Sequence, residues 1–161
     1  MRDTTTGETD WPAALAPQLQ LFHDYWLRLR ETAGGVPPKR AVDPLLIPRD
    51  LLPDIGLIEL LPQPQGLWRI RYRLLGTRHR LMTGQDFTGR NFADVYPAEQ
   101  VAAFEQEYRG ILLRGEPGYA RRRSLKADRE FVAFQRILAP LLDDEGQKRH
   151  LIGYWLWETE D

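Results

Sequence analysis

The sequence predicts an α+β domain in which helices pack on one side of a five-stranded antiparallel sheet. Three observations carry that expectation. Segments with the apolar–polar alternation of half-buried strands occur twice before, and three times after, one long helical stretch. The clearest of them, residues 67–75, sets Trp68, Ile70, Tyr72 and Leu74 on one face and Arg69, Arg71 and Arg73 on the other, so one face is buried and the other polar. The helical stretch from Pro97 to Arg114 has a single apolar stripe, so it covers a sheet rather than standing alone.

Taken in order, residues 1–14 are Thr- and Asp-rich and read as a disordered lead-in. Residues 15–35 hold an amphipathic N-terminal helix that begins near Pro17, suited to a first helical turn, and stops at Gly34-Gly35. Leu19, Phe22, Trp26 and Leu29 follow at 3-4-3 spacing and form one apolar seam. The seam must rest on the remainder of the domain or on a second copy of itself. It is assigned either as a two-fold dimer interface or as packing on the outer face of the sheet, and burial of a helix's stripe on its own domain is the ordinary outcome.

The main domain runs from 36 to 161. Pro37, Pro38, Pro44, Pro48 and Pro53 stiffen a connector up to 53. A strand over 55–61, a turn at Gln63-Pro64-Gln65-Gly66 and the strand over 67–75 come next. In the long helix Pro97 suits the first position; Val101, Phe104, Tyr108 and Ile111 make the stripe, Glu105 and Arg109 pair four apart, and Gly115 with Pro117 ends it. Strands over about 118–126, 131–140 and 150–157 are joined by turns at Ala127-Asp128-Arg129 and Asp143-Asp144-Glu145-Gly146.

Composition removes several function classes. The 161 residues carry a net charge of -1, which gives no overall attraction to nucleic acid or to an acidic membrane surface. The absence of cysteine excludes disulfides, thiolate metal sites and a cysteine–flavin adduct, and fits a reducing cytoplasm. No apolar run reaches the roughly 20 residues that span a bilayer, and 1–10 has no apolar core of an export signal. Arg121-Arg122-Arg123 is split between two faces by strand alternation, so an ion-paired sheet surface is expected rather than a nucleic-acid track. His23, His79 and His150 lack metal-site spacing, and His79 reads as a surface or half-buried residue rather than a haem ligand. Ser124, the sole serine, assembles no hydrolytic triad.

The passage Tyr72 to Pro97 resembles the PAS fold: Gly76 to Gly84 looks like its first short helix, and Thr88-Gly89-Arg90-Asn91-Phe92 with Tyr96-Pro97 like its lead into the long helix. The N-terminal part is similar to a family of small standalone bacterial PAS-like proteins, through Tyr25-Trp26-Leu27-Arg28-Leu29-Arg30, Pro37 to Arg40, Asp43-Pro44, Leu52-Pro53, Tyr72 to Thr77 and Ala139-Pro140-Leu141. The resemblance implies a PAS-like five-stranded antiparallel sheet with helices on one face and an extra N-terminal helix. It also implies a sensory or protein-interaction module, a homodimer that holds a small ligand or a signalling partner. By the same resemblance Phe134, Arg136, Leu138, Trp155 and Trp157 point inward, and Tyr72, Leu74, Met82, Phe87, Phe92, Phe104 and Tyr108 approach from the other walls. The ligand-binding residues expected from this are Tyr72, Met82, Phe87, Phe104, Tyr108, Phe134, Arg136 and Trp155.

Arg136 decides what such a compartment is for. A buried guanidinium needs either a protein carboxylate or an anionic ligand, and an ion pair with a local Asp or Glu, or a register that leaves Arg136 in solvent, is expected over the ligand. The cofactor stays unnamed and no metal is expected. Catalysis is not expected either: the rival reading, an isomerase or hydratase on a cone-shaped α+β sheet, needs a buried acid–base pair, and His79 with Asp86 is its best candidate. The remaining alternative is a ligand-free structural adaptor with a closed core. No kinase, cyclase or DNA-binding segment accompanies the domain in this sequence, so output is expected through a partner or through self-association.

Overall fold

A computed structural model describes residues 10–125 and 131–158. Helix α1 spans Pro17–Ala33 and ends where Gly34 turns left-handed, φ 75°, donating its N–H to the Arg30 carbonyl. The proline-rich connector carries two 3-10 turns, Lys39–Ala41 and Arg49–Asp54. Strands β1, Ile55–Leu61, and β2, Arg69–Leu75, lead into a short helix α2, Thr77–Thr83, and a 3-10 turn at Phe92–Asp94. The long helix α3, Ala98–Arg114, precedes β3, Gly118–Leu125, β4, Phe131–Leu142, and β5, Lys148–Glu158.

The five strands form one antiparallel sheet in the order β2-β1-β5-β4-β3. The expected sheet, its order of elements and the long helix are all present. The turn expected at Ala127-Asp128-Arg129 lies outside the described residues, as does the lead-in up to residue 9. Residues 10–16 are irregular, but Trp11 sets its ring 5.3 Å from that of His23 and 5.8 Å from that of Tyr119, so this part of the lead-in is held against the fold.

Both faces of the sheet are covered. On the inner face Ile58, Leu60, Ile70, Tyr72, Phe134, Leu138, Leu151 and Trp155 meet Phe87, Phe92, Tyr108 and Ile111 from the loop after α2 and from α3. On the outer face Ile55, Ile137, Ala139, Ile152 and Tyr154 meet Leu19, Phe22 and Trp26 of α1, with Ile47 and Leu51 of the connector. The Trp26 indole donates to the Pro140 carbonyl at 3.0 Å.

Of the two expectations for the α1 seam, the packing follows the outer-face one and not the dimer contact. Leu19, Phe22 and Trp26 have no exposed surface within a single chain, and Leu29 is partly buried against the same outer cluster. A stripe already covered by its own sheet has no apolar area left to offer a symmetry mate.

The expected inward placement of Leu74 also fails. Leu57 pairs with Leu74, but Ile58 pairs with Tyr72, so Arg73 is an extra residue in β2. Such a bulge changes the side on which the following residue emerges, and Leu74 is exposed. Ile70 and Tyr72, before the bulge, keep the inward face.

Candidate functional site

The inner face closes on a small compartment of about 30 Å³, lined by residues including Tyr72, His79, Tyr96, Phe104, Tyr108, Phe134, Arg136, Trp155 and Trp157. Roughly 10–15 Å³ of such space holds one water molecule, whereas small-molecule sites span roughly 300–1,000 Å³. The walls are therefore nearly shut. Six of the eight expected ligand residues, Tyr72, Phe104, Tyr108, Phe134, Arg136 and Trp155, line this space. Phe87 and Met82 stand behind it: the Phe87 ring stacks on Tyr72 at 6.1 Å, and Met82 packs against the same core.

Glycines lie beneath one wall of the compartment, Trp155. Gly56 of β1 pairs with Gly153 of β5, and the Trp155 indole lies across both. A Cβ at Gly56 would stand 2.7 Å from the indole, and one at Gly153 would stand 2.9 Å from it and 2.5 Å from Leu138. Only the lack of side chains at these two positions lets the Cζ3–Cη2 edge of the ring come this close to the sheet.

Arg136 extends from the middle of β4 and is 2% exposed. Its Nη2 donates to Glu107 Oε2 of α3 at 2.7 Å, and its guanidinium lies 5.6 Å from the Tyr108 ring. Burial works against its charge, but Glu107, with help from Tyr108 and Tyr72, outweighs burial and raises its pKa. The buried cation thus has the protein carboxylate it required. Arg122 comes within 3.6 Å of the same Glu107 oxygen, and Arg121 pairs with Glu158 at 2.8 Å, which gives the basic run of β3 its ion-paired character.

Among the described residues, Arg136 Nε, Trp157 Nε1 and His79 Nδ1, all of residues that line the compartment, make no hydrogen bond. His79 departs from the expected surface or half-buried position. It is buried in a ring of aromatics, with Trp157 at 5.4 Å, Tyr72 and Trp155 at 5.8 Å and Phe87 at 5.9 Å. Burial lowers its pKa to about 4, against a small opposing effect of Asp86. It is neutral at physiological pH.

Tyr72 and Tyr96 share a hydroxyl–hydroxyl hydrogen bond of 2.6 Å. Burial drives both phenols up, Tyr96 to about 12, so neither ionises near neutrality. The acid–base pair of the rival enzyme reading does not assemble. Asp86 is exposed and accepts from the Thr88 N–H at 3.0 Å, and no hydrogen bond joins it to His79. Among the described residues no group of three or more His, Cys, Asp or Glu side chains could hold a metal, and no helix is long and apolar enough to cross a membrane.

A protein-family profile described as PAS domain matches residues 15–156. No curated protein matches the chain. Among solved structures, the Drosophila melanogaster Cycle PAS-B domain with bound glycerol aligns over 65% of this chain and 99% of its own, at 14% identity and a TM-score of 0.49. An RNA-binding light-oxygen-voltage receptor aligns over 96% of this chain but 38% of its own, at 19% identity and a TM-score of 0.48. A fungal light-oxygen-voltage photoreceptor domain aligns over 82% of this chain and 90% of its own, at 18% identity and a TM-score of 0.48.

Proposed function

The chain belongs to the PAS domain family, and on that premise we propose that it serves as a protein-interaction module of the sensory class, with a closed compartment and no catalysis of its own. The observation that carries this reading is the pairing of Arg136 with Glu107 at 2.7 Å beside a space of about 30 Å³. The cation that would have recruited an anionic ligand is neutralised from within, and a flavin- or haem-sized group has no room. Signal output then runs through a docked protein. Homodimerisation enters the proposal with a changed surface: because the α1 seam lies on its own sheet, a two-fold contact has to use faces that the fold leaves exposed.

A second reading keeps a ligand, and one observation favours it. Among the described residues Arg136 Nε, Trp157 Nε1 and His79 Nδ1 have no hydrogen-bond partner, and their residues line one space. A molecule of a few heavy atoms bearing hydrogen-bond acceptors would satisfy the arginine and indole N–H groups, with Tyr72, Phe104, Tyr108, Phe134 and Trp155 as its walls.

Native mass spectrometry of the purified protein, with its absorption spectrum, separates the two. A mass equal to the bare chain and no absorption beyond the aromatic band is the expected result. A stoichiometric co-purifying mass overturns the closed-compartment reading and favours the second.

A further inference from the structure

We infer that the groove beside Trp68 is a docking site for an acidic amphipathic helix of a partner protein. The inference rests on the interaction-module reading above and names the chemistry of its partner. The groove measures about 440 Å³ and runs along α3, with Trp68, Arg109, Gly110, Leu113, Lys148 and Arg149 on its walls. Two guanidinium groups lie over the Trp68 ring, Arg109 at 4.6 Å and Arg149 at 4.8 Å.

Its charge is one-sided. The one carboxylate in the groove, Glu105, is already engaged, accepting from the Trp68 N–H at 3.0 Å and from Arg109 at 3.3 Å. Lys148 donates to the Leu113 carbonyl and Arg149 to the Lys148 carbonyl. Among the described residues neither has a carboxylate within ion-pair distance. Three cations against one committed anion leave a positive surplus, in a chain whose net charge is -1.

The shape suits a helix. Gln106, Gly110 and Leu113 follow at 4-3 spacing along α3, and Leu113 is 80% exposed. Gln106 and Gly110 also border a second groove, of about 530 Å³, which Trp11 and Arg114 help to line. The ridge of α3 is thus low, with a groove on each side, and a second helix can approach it closely. An amphipathic helix would cover Leu113 with its apolar stripe and set carboxylates against Lys148 and Arg149.

Fluorescence anisotropy tests this with a labelled synthetic helix bearing leucine at every third and fourth position and glutamate elsewhere, and with a control in which lysine replaces glutamate. The glutamate helix is expected to bind saturably, more weakly as salt rises, while the lysine control does not. Arg149→Glu with Lys148→Glu, and separately Leu113→Asp, are expected to weaken binding about tenfold or more. Circular dichroism checks that each variant is folded, and Arg149→Gln replaces any that is not. Equal binding of the control, no saturation, or charge reversal without effect overturns the proposal. Those failures leave a ligand-free mass spectrum, and with it the interaction-module reading, untouched; a co-purifying ligand would remove that reading while the titration still reported on the groove.

Discussion

The two faces of one sheet are filled with different chemistry. On the outer face α1 lays Leu19, Phe22 and Trp26 on Ile137, Ala139 and Ile152, and the indole N–H of Trp26 is used by Pro140. On the inner face a guanidinium, an imidazole and a second indole N–H are enclosed together with two hydrogen-bonded phenols. A face built for packing alone has no need of a buried cation, because apolar side chains of similar volume fill the space at least as well. The outer face is therefore held by fit, and the inner face by fit plus a set of polar contacts that constrain one another.

The largest expected effect breaks the outer face. Trp26→Ala should lower stability to urea by about 3–5 kcal/mol, since it removes a large, fully buried side chain. Phe22→Asp combined with Trp26→Asp should abolish the cooperative unfolding transition instead of releasing a folded monomer. A folded double variant of halved mass by light scattering would restore the dimer interface that the packing argues against.

On the inner face, Glu107→Gln leaves Arg136 buried without its counter-charge and is expected to cost about 3 kcal/mol. The double variant Glu107→Leu with Arg136→Met should recover most of that loss, because the fully buried guanidinium is gone, while Arg122 still loses its neighbouring carboxylate. Failure of the double variant to recover would mean that the pair sets the geometry of the inner face and does more than neutralise charge.

His79 gives the inner face a pH response. Its folded pKa of about 4 lies below the unfolded value of 6.5. Above pH 6.5 the ring is neutral in both states and its contribution is fully present. As the pH falls from 6.5 towards 4, the unfolded chain takes up a proton that the folded chain refuses, so stability declines, by about 3 kcal/mol in all, and the decline ends below 4. His79→Phe should remove this part of the slope, read as the difference between the two urea-midpoint profiles; parallel profiles would show that the ring titrates normally. The smallest effect is that of Tyr96→Phe, which removes the hydrogen bond to Tyr72 and should cost about 1 kcal/mol.

Much of the architecture was legible because local signals agreed with the fold. Pro17, Gly34, Pro97 and Gly115 bracket α1 and α3 where chain geometry demands it, and β1 has the bounds its pattern suggested. Leu74 was misplaced because a bulge adds one residue to one strand of a pair, and a single sequence shows no partner strand against which to count it. The fate of the α1 seam was equally hidden, since its sheet and a second copy both offer an apolar surface. Glu107 did leave a signal: it stands three residues after Phe104 and four before Ile111, on the inward side of α3, where a carboxylate calls for a cation. His79 gave none, because Arg78 and Arg80 flank it and make α2 look like a surface segment.

The pairing of Gly56 with Gly153 under Trp155 bears on how this fold changes occupation in evolution. The indole acts as a tethered guest, held where a free ring could lie, and its berth is defined by two absent side chains rather than by the indole. Trp155→Ala would vacate the berth and leave Gly56 and Gly153 as a bare floor, able to admit indole or benzene from solution. A single residue, Trp155, thus separates a filled berth from an open one of aromatic size.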